Sequence, residues 1–342
     1  MLSTGVPLAL AIVGIALVAV WLRTGPADGF VLRVPGMDGS GALVGGGVLE
    51  TPEPGEPKLF DVEPSKLEGA WPCFRGPERD GICRQSAGLA RKWPEGGPEV
   101  LWTVEMGPGH AGAAVWAGRV YVLDYDTEAR ADTLRCLSLD DGREIWRNGY
   151  PVAVEPDHGM SRAVPAVADG LVVSIGPRCH VACWDAVTGE CRWLLDMVRQ
   201  YQTTVPQWHA AQCPLIDDGV TVIAPAGSVL MMGIDCATGE ILWQTPNPHG
   251  WQMSHTSVMP MTLGGRRMYV YSAIGGMVGV AADGEDRGTV LWETDLWSRS
   301  VLAPSPLVLP DGRIFVTAGY GAGSMMLRVS AEGGGFRVEK LQ

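Results

Sequence analysis

Residues 181–193 read VACWDAVTGECRW, and residues 231–243 read MMGIDCATGEILW. Each is an apolar run, a turn built on Asp and Thr-Gly, and a second run closed by Trp. Two such runs around a Gly turn make an antiparallel hairpin, because Gly accepts the positive φ that a tight turn needs. The same text stands at 134–146 (LRCLSLDDGREIW) and, loosened, at 278–292 (VGVAADGEDRGTVLW), while EVLW at 99–102 is a half copy. The closing residues Trp102, Trp146, Trp193, Trp243 and Trp292 follow one another at intervals of 44, 47, 50 and 49 residues. A period of roughly 40–50 residues is that of one four-stranded propeller blade.

The rest of each period supplies the other half of the blade. A second hairpin pattern precedes each Trp segment: AAVWAGRVYVLDY (113–125), PAVADGLVVSIG (165–176), CPLIDDGVTVIAP (213–225), MPMTLGGRRMYVYSA (259–273) and PSPLVLPDGRIFVTAG (304–319). No helix intervenes, which excludes a βαβ architecture. The expected fold is therefore all-β, a β-propeller of four-stranded antiparallel blades with about five repeat units, the last lacking its Trp. The repeat Trp residues read as structural. Each ring is large enough to fill the gap between neighbouring blades, and its indole N–H can reach a backbone carbonyl.

Composition agrees. Gly (46) and Pro (25) make up about a fifth of the 342 residues, which suits many tight turns. The formal net charge is −12, and no Lys/Arg cluster breaks the acidity. That excludes a nucleic-acid partner, since backbone binding needs a basic face. The N-terminus is of another kind. Met1 to Leu22 holds no charged side chain, and Val6–Leu22 is nearly pure apolar. Seventeen apolar residues are the lower limit for crossing a bilayer. Residues 1–23 thus read as a transmembrane anchor or signal segment, with Trp21 at the interface and no Ala-x-Ala cleavage site after it. Residues 24–69 read as a flexible Gly/Pro-rich tether with at most a short strand, and 70–342 as the propeller. Membrane anchoring would place that propeller in the periplasm or another extracytoplasmic space.

The D-A-x-T-G-x-x-x-W run at 185–193 and its D-C-A-T-G-E-I-L-W form at 235–243 resemble the pyrroloquinoline-quinone-like propeller repeat family. WPCFRGPERDGI (71–82) followed by WPEGGPEVLW (93–102) is similar to the entry segment of its membrane-anchored bacterial members. The resemblance implies a ring of seven or eight blades, so five units imply a ring incomplete at its C-terminal side. It also implies three functions among which fold alone does not choose. These are a non-catalytic binding or scaffold protein for a protein partner or small ligand, a quinone-dependent oxidoreductase of alcohols or sugars, and an envelope protein-assembly factor. The oxidoreductase would need pyrroloquinoline quinone with calcium. The adjacent Cys pair that cradles the quinone in such enzymes is absent, and no residue maps onto their catalytic Asp.

Candidate site residues lie just before the innermost strands, in GHAGAA (109–114), SRAVP (161–165), WHAAQCP (208–214) and SHTSVMP (254–260). Equivalent positions of a propeller converge on its axis. His110, Arg162, Trp208, His209 and His255 are therefore expected to line one polar funnel. The alternative is that each His caps a turn. No ligand spacing supports a metal. Cys179 and Cys183 lie roughly 13 Å apart along a strand, too far for one bridge. Cys183 and Cys191 flank a hairpin turn and are candidates for a cross-strand disulfide, with reduced thiols the alternative. Cys73 and Cys83 bracket a loop that a second disulfide could staple.

Overall fold

The computed structural model describes residues 12–20, 51–84, 88 and 90–341. Residues 12–20 form a helix, α1. The rest of the expected anchor, Trp21 included, lies outside the described residues, as does 24–50 of the expected tether. Among the described residues no helix is long and apolar enough to cross a membrane.

Five antiparallel sheets follow one another along residues 51–341. In the first, β1 (Lys58–Leu59), β2 (Ala114–Trp116), β3 (Arg119–Asp126), β4 (Ala131–Ser138) and β5 (Glu144–Pro151) lie in the order β1-β5-β4-β3-β2. The others are four-stranded meanders in chain order. The second holds β6 (Ala166–Ala168), β7 (Leu171–Ile175), β8 (His180–Asp185) and β9 (Cys191–Asp196), followed by the short helix α2 (Met197–Tyr201). The third holds β10 (Leu215–Asp217), β11 (Val220–Ile223), β12 (Val229–Asp235) and β13 (Ile241–Pro246). The fourth holds β14 (Met259–Leu263), β15 (Arg266–Ala273), β16 (Gly276–Ala281) and β17 (Val290–Thr294). The fifth holds β18 (Leu307–Val308), β19 (Arg313–Ala318), β20 (Gly323–Glu332) and β21 (Gly335–Lys340). These are propeller blades 1 to 5.

The local rules repeat from blade to blade. The first two strands of blades 1 to 4 are joined by two residues, both at positive φ, as in Asp169 (49°) and Gly170 (77°). That is the hairpin turn whose twist matches the strands. The last two strands of blades 1 to 4 carry a register shift just before the turn, at Cys136/Leu137, Cys183/Trp184, Gly233/Ile234 and Gly279/Val280. Asp185 and Asp235 tie the turn down by accepting the amides of Thr188 (2.9 Å) and Thr238 (2.8 Å).

Each blade is fastened to the next by an indole. Trp102, Trp146 and Trp193 donate their ring N–H to the carbonyls of Leu139 (3.0 Å), Ala186 (3.2 Å) and Cys236 (2.9 Å) of the following blade. The rings lie on the turn glycines of that blade. A Cβ built on Gly142, Gly189, Gly239 or Gly288 would stand 2.6, 2.6, 2.7 or 2.9 Å from the ring of Trp102, Trp146, Trp193 or Trp243. The turn glycine is thus required twice, for its positive φ and for the ring above it. The last interface differs. Trp292 turns its N–H to the Met268 sulfur (3.1 Å), and blades 4 and 5 meet through a separate core holding Met261, Met268, Met277 and Met325.

Of the two alternatives for Cys183 and Cys191, the hairpin register favours reduced thiols. The register shift sets Cys183 opposite Trp193 and Cys191 opposite Trp184, so the two sulfurs belong to different cross-strand pairs. Cys73 is buried with its thiol on the Gly76 carbonyl (3.1 Å), while Cys83 is exposed.

The N-terminal segments are built into the blades. Over 51–69 the stretch read as tether runs along blade 1: Lys58–Leu59 pairs with β5, Gly55 N–H donates to Gly149, and Ser65 Oγ donates to Asp140 (2.6 Å). The entry segment then crosses to several inner strands. Trp71 bridges Val115 of blade 1, and the Pro72 carbonyl accepts from Val167 of blade 2. Arg79 donates to Ile216 of blade 3, and Arg75 donates to Ser305 and Pro306 of blade 5 at 3.2 Å each.

Trp146 is fully buried. Trp146→Ala should cost about 3–5 kcal/mol in urea unfolding, the range for a truncated core aromatic. Gly189→Ala should destabilise through the same contact from the other side. An unchanged midpoint in both variants would show that the indole does not hold blades 1 and 2 together.

Candidate functional site

The loops that lead into the inner strands are joined by a repeated hydrogen bond. Val164 N–H donates to Cys213 Sγ (3.2 Å), Cys213 N–H to Ser257 Oγ (3.0 Å), and Ser257 N–H to Ser305 Oγ (2.9 Å). Each acceptor stands two residues before its inner strand, so the chain of donors steps from blade 2 to blade 5 at one level. At the start of this collar, Gly109 pairs with Ser161, and His110 N–H donates to the Ser161 carbonyl (2.7 Å). Cys213, Ser257 and Ser305 carry no signal in the sequence beyond being small and able to accept.

Trp208 and His209 lie above the collar. Both hold positive φ, 62° and 74°. This is the left-handed region, which a bulky residue enters only where surrounding contacts hold it. Those contacts are visible. Trp208 lies against His158 (5.5 Å between centroids), His255 (6.2 Å) and Tyr320 (5.9 Å), the last two nearly parallel to it. Its partners come from the loops leading into blades 2 and 4 and from a turn of blade 5. Ala210 N–H donates to Pro177 (3.0 Å) and fixes the loop from below.

Four of the five funnel residues are therefore tied into one cluster. Trp208, His209 and His255 form its centre. Arg162 lies close enough to lower the proton affinity of both imidazoles, although its own N–H groups are engaged by the carbonyls of His158 and Gly159 (3.1 Å to the latter). His110 stands at the same end, with its ring beside Gly159. Sequence reasoning passed over His158, its ion-pair partner Asp157, and Tyr320, which is 63 % exposed. His158 belongs to a His-Gly turn that recurs as His249–Gly250 before blade 4, while Tyr320 lies in a turn of the last blade.

The electrostatics favour neutral imidazoles. Burial lowers the His209 pKa below its usual range, and burial together with Arg162 brings His255 down to about 4. His209 Nε2 and His255 Nδ1 are buried without a hydrogen-bond partner. A backbone group stands beside each ring, that of Glu155 at His209 and that of His209 at His255, so on a neutral ring the open nitrogen is left as a buried acceptor beside the aromatic face. Among the described residues, no group of three His, Cys, Asp or Glu is placed to hold a metal ion.

The sequence model of the family described as outer membrane protein assembly factor BamB matches residues 130–338. The chain belongs to this family of PQQ-like β-propeller repeats. None of the curated proteins matches it. Among solved structures it is similar to BamB from Moraxella catarrhalis, at 13% identity and a TM-score of 0.40, over 66% of this chain and 61% of that one. It is also similar to a quinohemoprotein alcohol dehydrogenase from Pseudomonas putida HK5, at 17% identity and a TM-score of 0.42, over 68% of this chain and 48% of that one. The chain thus spans between about half and three-fifths of the length of these two structures.

The quinone associated with such repeats does not fit the residues at this mouth. Trp208 is in contact with three rings, Arg162 is committed to backbone carbonyls, and among the described residues no cation-holding group of acidic residues stands beside them.

Two outcomes follow for the collar and the imidazoles. Cys213→Ser should leave the melting midpoint within about 2 °C, since the next two links already use Ser, whereas Cys213→Val should lower it clearly. His255 has a folded pKa below its unfolded value of about 6.5. Its neutral burial therefore contributes fully above pH 6.5 and is lost as pH falls towards 4, by at most about 3 kcal/mol. Comparing wild type with His255→Gln from pH 7 to 4 should show a steeper loss in the wild type. Parallel curves would overturn the assignment.

Proposed function

We propose that this chain is a membrane-anchored, extracytoplasmic binding protein of the assembly-factor kind, which captures a protein partner at the Trp208 mouth. The observation that carries the proposal is the Trp208–His209 pair, held in a strained backbone beside two unpartnered imidazole nitrogens. Strain of this sort costs about 1–3 kcal/mol per residue and is retained where the surroundings over-determine it, most often at binding sites. The site offers the exposed Tyr320 ring stacked on Trp208 above two buried imidazole acceptors, and among the described residues no nucleophile–base pair or paired carboxylates stand there. That is the chemistry of recognition, in which a few rigid aromatic anchors dominate. Membership of the assembly-factor family supports the partner class, and the apolar run Val6–Leu22 supports the anchor. A small-ligand role at the same mouth draws on the same residues.

The test places a photoreactive benzophenone amino acid at Tyr320, beside Trp208, and at the exposed Asp218, in the turn at the opposite end of an inner strand. A crosslinked envelope protein is expected from position 320 and not from 218. Trp208→Ala should weaken it at least tenfold, the cost of losing one anchor, and replacing His209 and His255 by Ala together should weaken it similarly. Equal adducts from both positions, or none from 320, would reject the mouth as the capture site. Calorimetry with pyrroloquinoline quinone and calcium gives the other reading: saturable micromolar binding would favour the oxidoreductase.

A further inference from the structure

The interface between blades 2 and 3 brings two thiols together. Cys183, in β8, donates its thiol to the carbonyl of Cys236 (3.2 Å), just beyond the end of β12. The thiol of Cys183 thus lies against the backbone of the residue that carries the second thiol. Both side chains are buried. The site lies beneath the inter-blade indole: Cys183 is the register partner of Trp193, and the Cys236 carbonyl accepts the Trp193 N–H.

The repeat makes this pair distinctive. At the preceding interface Cys136 stands opposite Trp146 as Cys183 stands opposite Trp193, but Ala186 occupies the place of Cys236. In blades 3 and 4 the residue opposite the Trp is Gly233 or Gly279. Other sulfurs are engaged elsewhere: Cys213 accepts from Val164, Cys179 lies on the Met253 sulfur (3.7 Å), and Cys191 turns back to the Trp193 carbonyl (3.4 Å).

We propose that Cys183 and Cys236 are a redox crosslinking site, forming an inter-blade disulfide when the chain meets a small-molecule disulfide as oxidant. The Cys236 thiolate attacks one sulfur of the oxidant, forming a mixed disulfide and expelling one small thiol. Cys183, deprotonated, then attacks the Cys236 sulfur and expels the second. One disulfide of the reagent is reduced to two thiols, and two protein thiols are oxidised to one disulfide. Cys236 is placed first because the neighbouring Cys183 side chain lowers its pKa, whereas that of Cys183 is raised by the same neighbour and by burial. The bond would close 53 residues of chain into a loop and lock blade 2 to blade 3. The inference is independent of the proposed mouth.

The experiment treats the full chain with oxidised glutathione at pH 8, both folded and during refolding from urea in a glutathione redox buffer. Refolding removes burial as a barrier to the reagent. Unreacted thiols are then alkylated in denaturant and mapped by mass spectrometry. The expected result is a linked 183–236 peptide with Cys136 fully alkylated. The melting midpoint should rise by roughly 5–10 °C in the wild type, and not in Cys236→Ala. Complete alkylation of Cys183 and Cys236 in both arms would overturn the proposal. So would linkage of either to a different cysteine.

Discussion

The contact on which the rest of this structure depends is an indole ring laid on a glycine. A sheet buries its faces only against a neighbour, so a row of meanders has no core until the blades are pressed together. The Trp at the end of one blade does this by covering the bare backbone of the next blade's turn, and three of the rings also donate to a carbonyl beside it. Area and direction come from the same side chain. Where the pattern ends, at Trp292, the chain substitutes flexible methionines, which fill an irregular gap without fixing its geometry as closely.

Two further sets of contacts cross between blades. At one end, a single small acceptor per blade takes the amide of the blade before, from Val164 to Ser305. Along the inner strands, the entry segment reaches blades 1, 2, 3 and 5 through Trp71, Pro72, Arg79 and Arg75. The Arg side chains spend their charge on backbone carbonyls, which would otherwise be buried acceptors lacking donors. At this end the mouth keeps polar atoms without partners, His209 Nε2 and His255 Nδ1, as the collar does at Ser161 Oγ.

Much of this was legible in the sequence. The hairpins, the turn glycines and the repeat Trp residues are local signals, and each blade carries its own copy. The funnel segments could be placed because a repeat carries position with it: four copies before an inner strand must meet near one axis. Counting outward from the turn sets Cys183 opposite Cys191 only in a symmetric hairpin, and a one-residue bulge here sets each opposite a Trp instead. Tyr320 and His158 escaped notice because nothing local marks a ring that will stack on Trp208. The reach of Arg75 over 231 residues has no local trace either, since a backbone carbonyl is an acceptor whatever its side chain.

The course of residues 51–81 has a mechanical consequence. Tension arriving from the N-terminal side meets first the short strand Lys58–Leu59, whose few bonds to the edge of blade 1 would break in succession, as a zip opens. It then meets Ser65 and Trp71 and comes to Arg75, whose one guanidinium holds two carbonyls of blade 5 that would have to part together. A weak element in series with a strong one acts as a fuse: a modest pull on residue 51 would peel the short strand while the blades keep their shape.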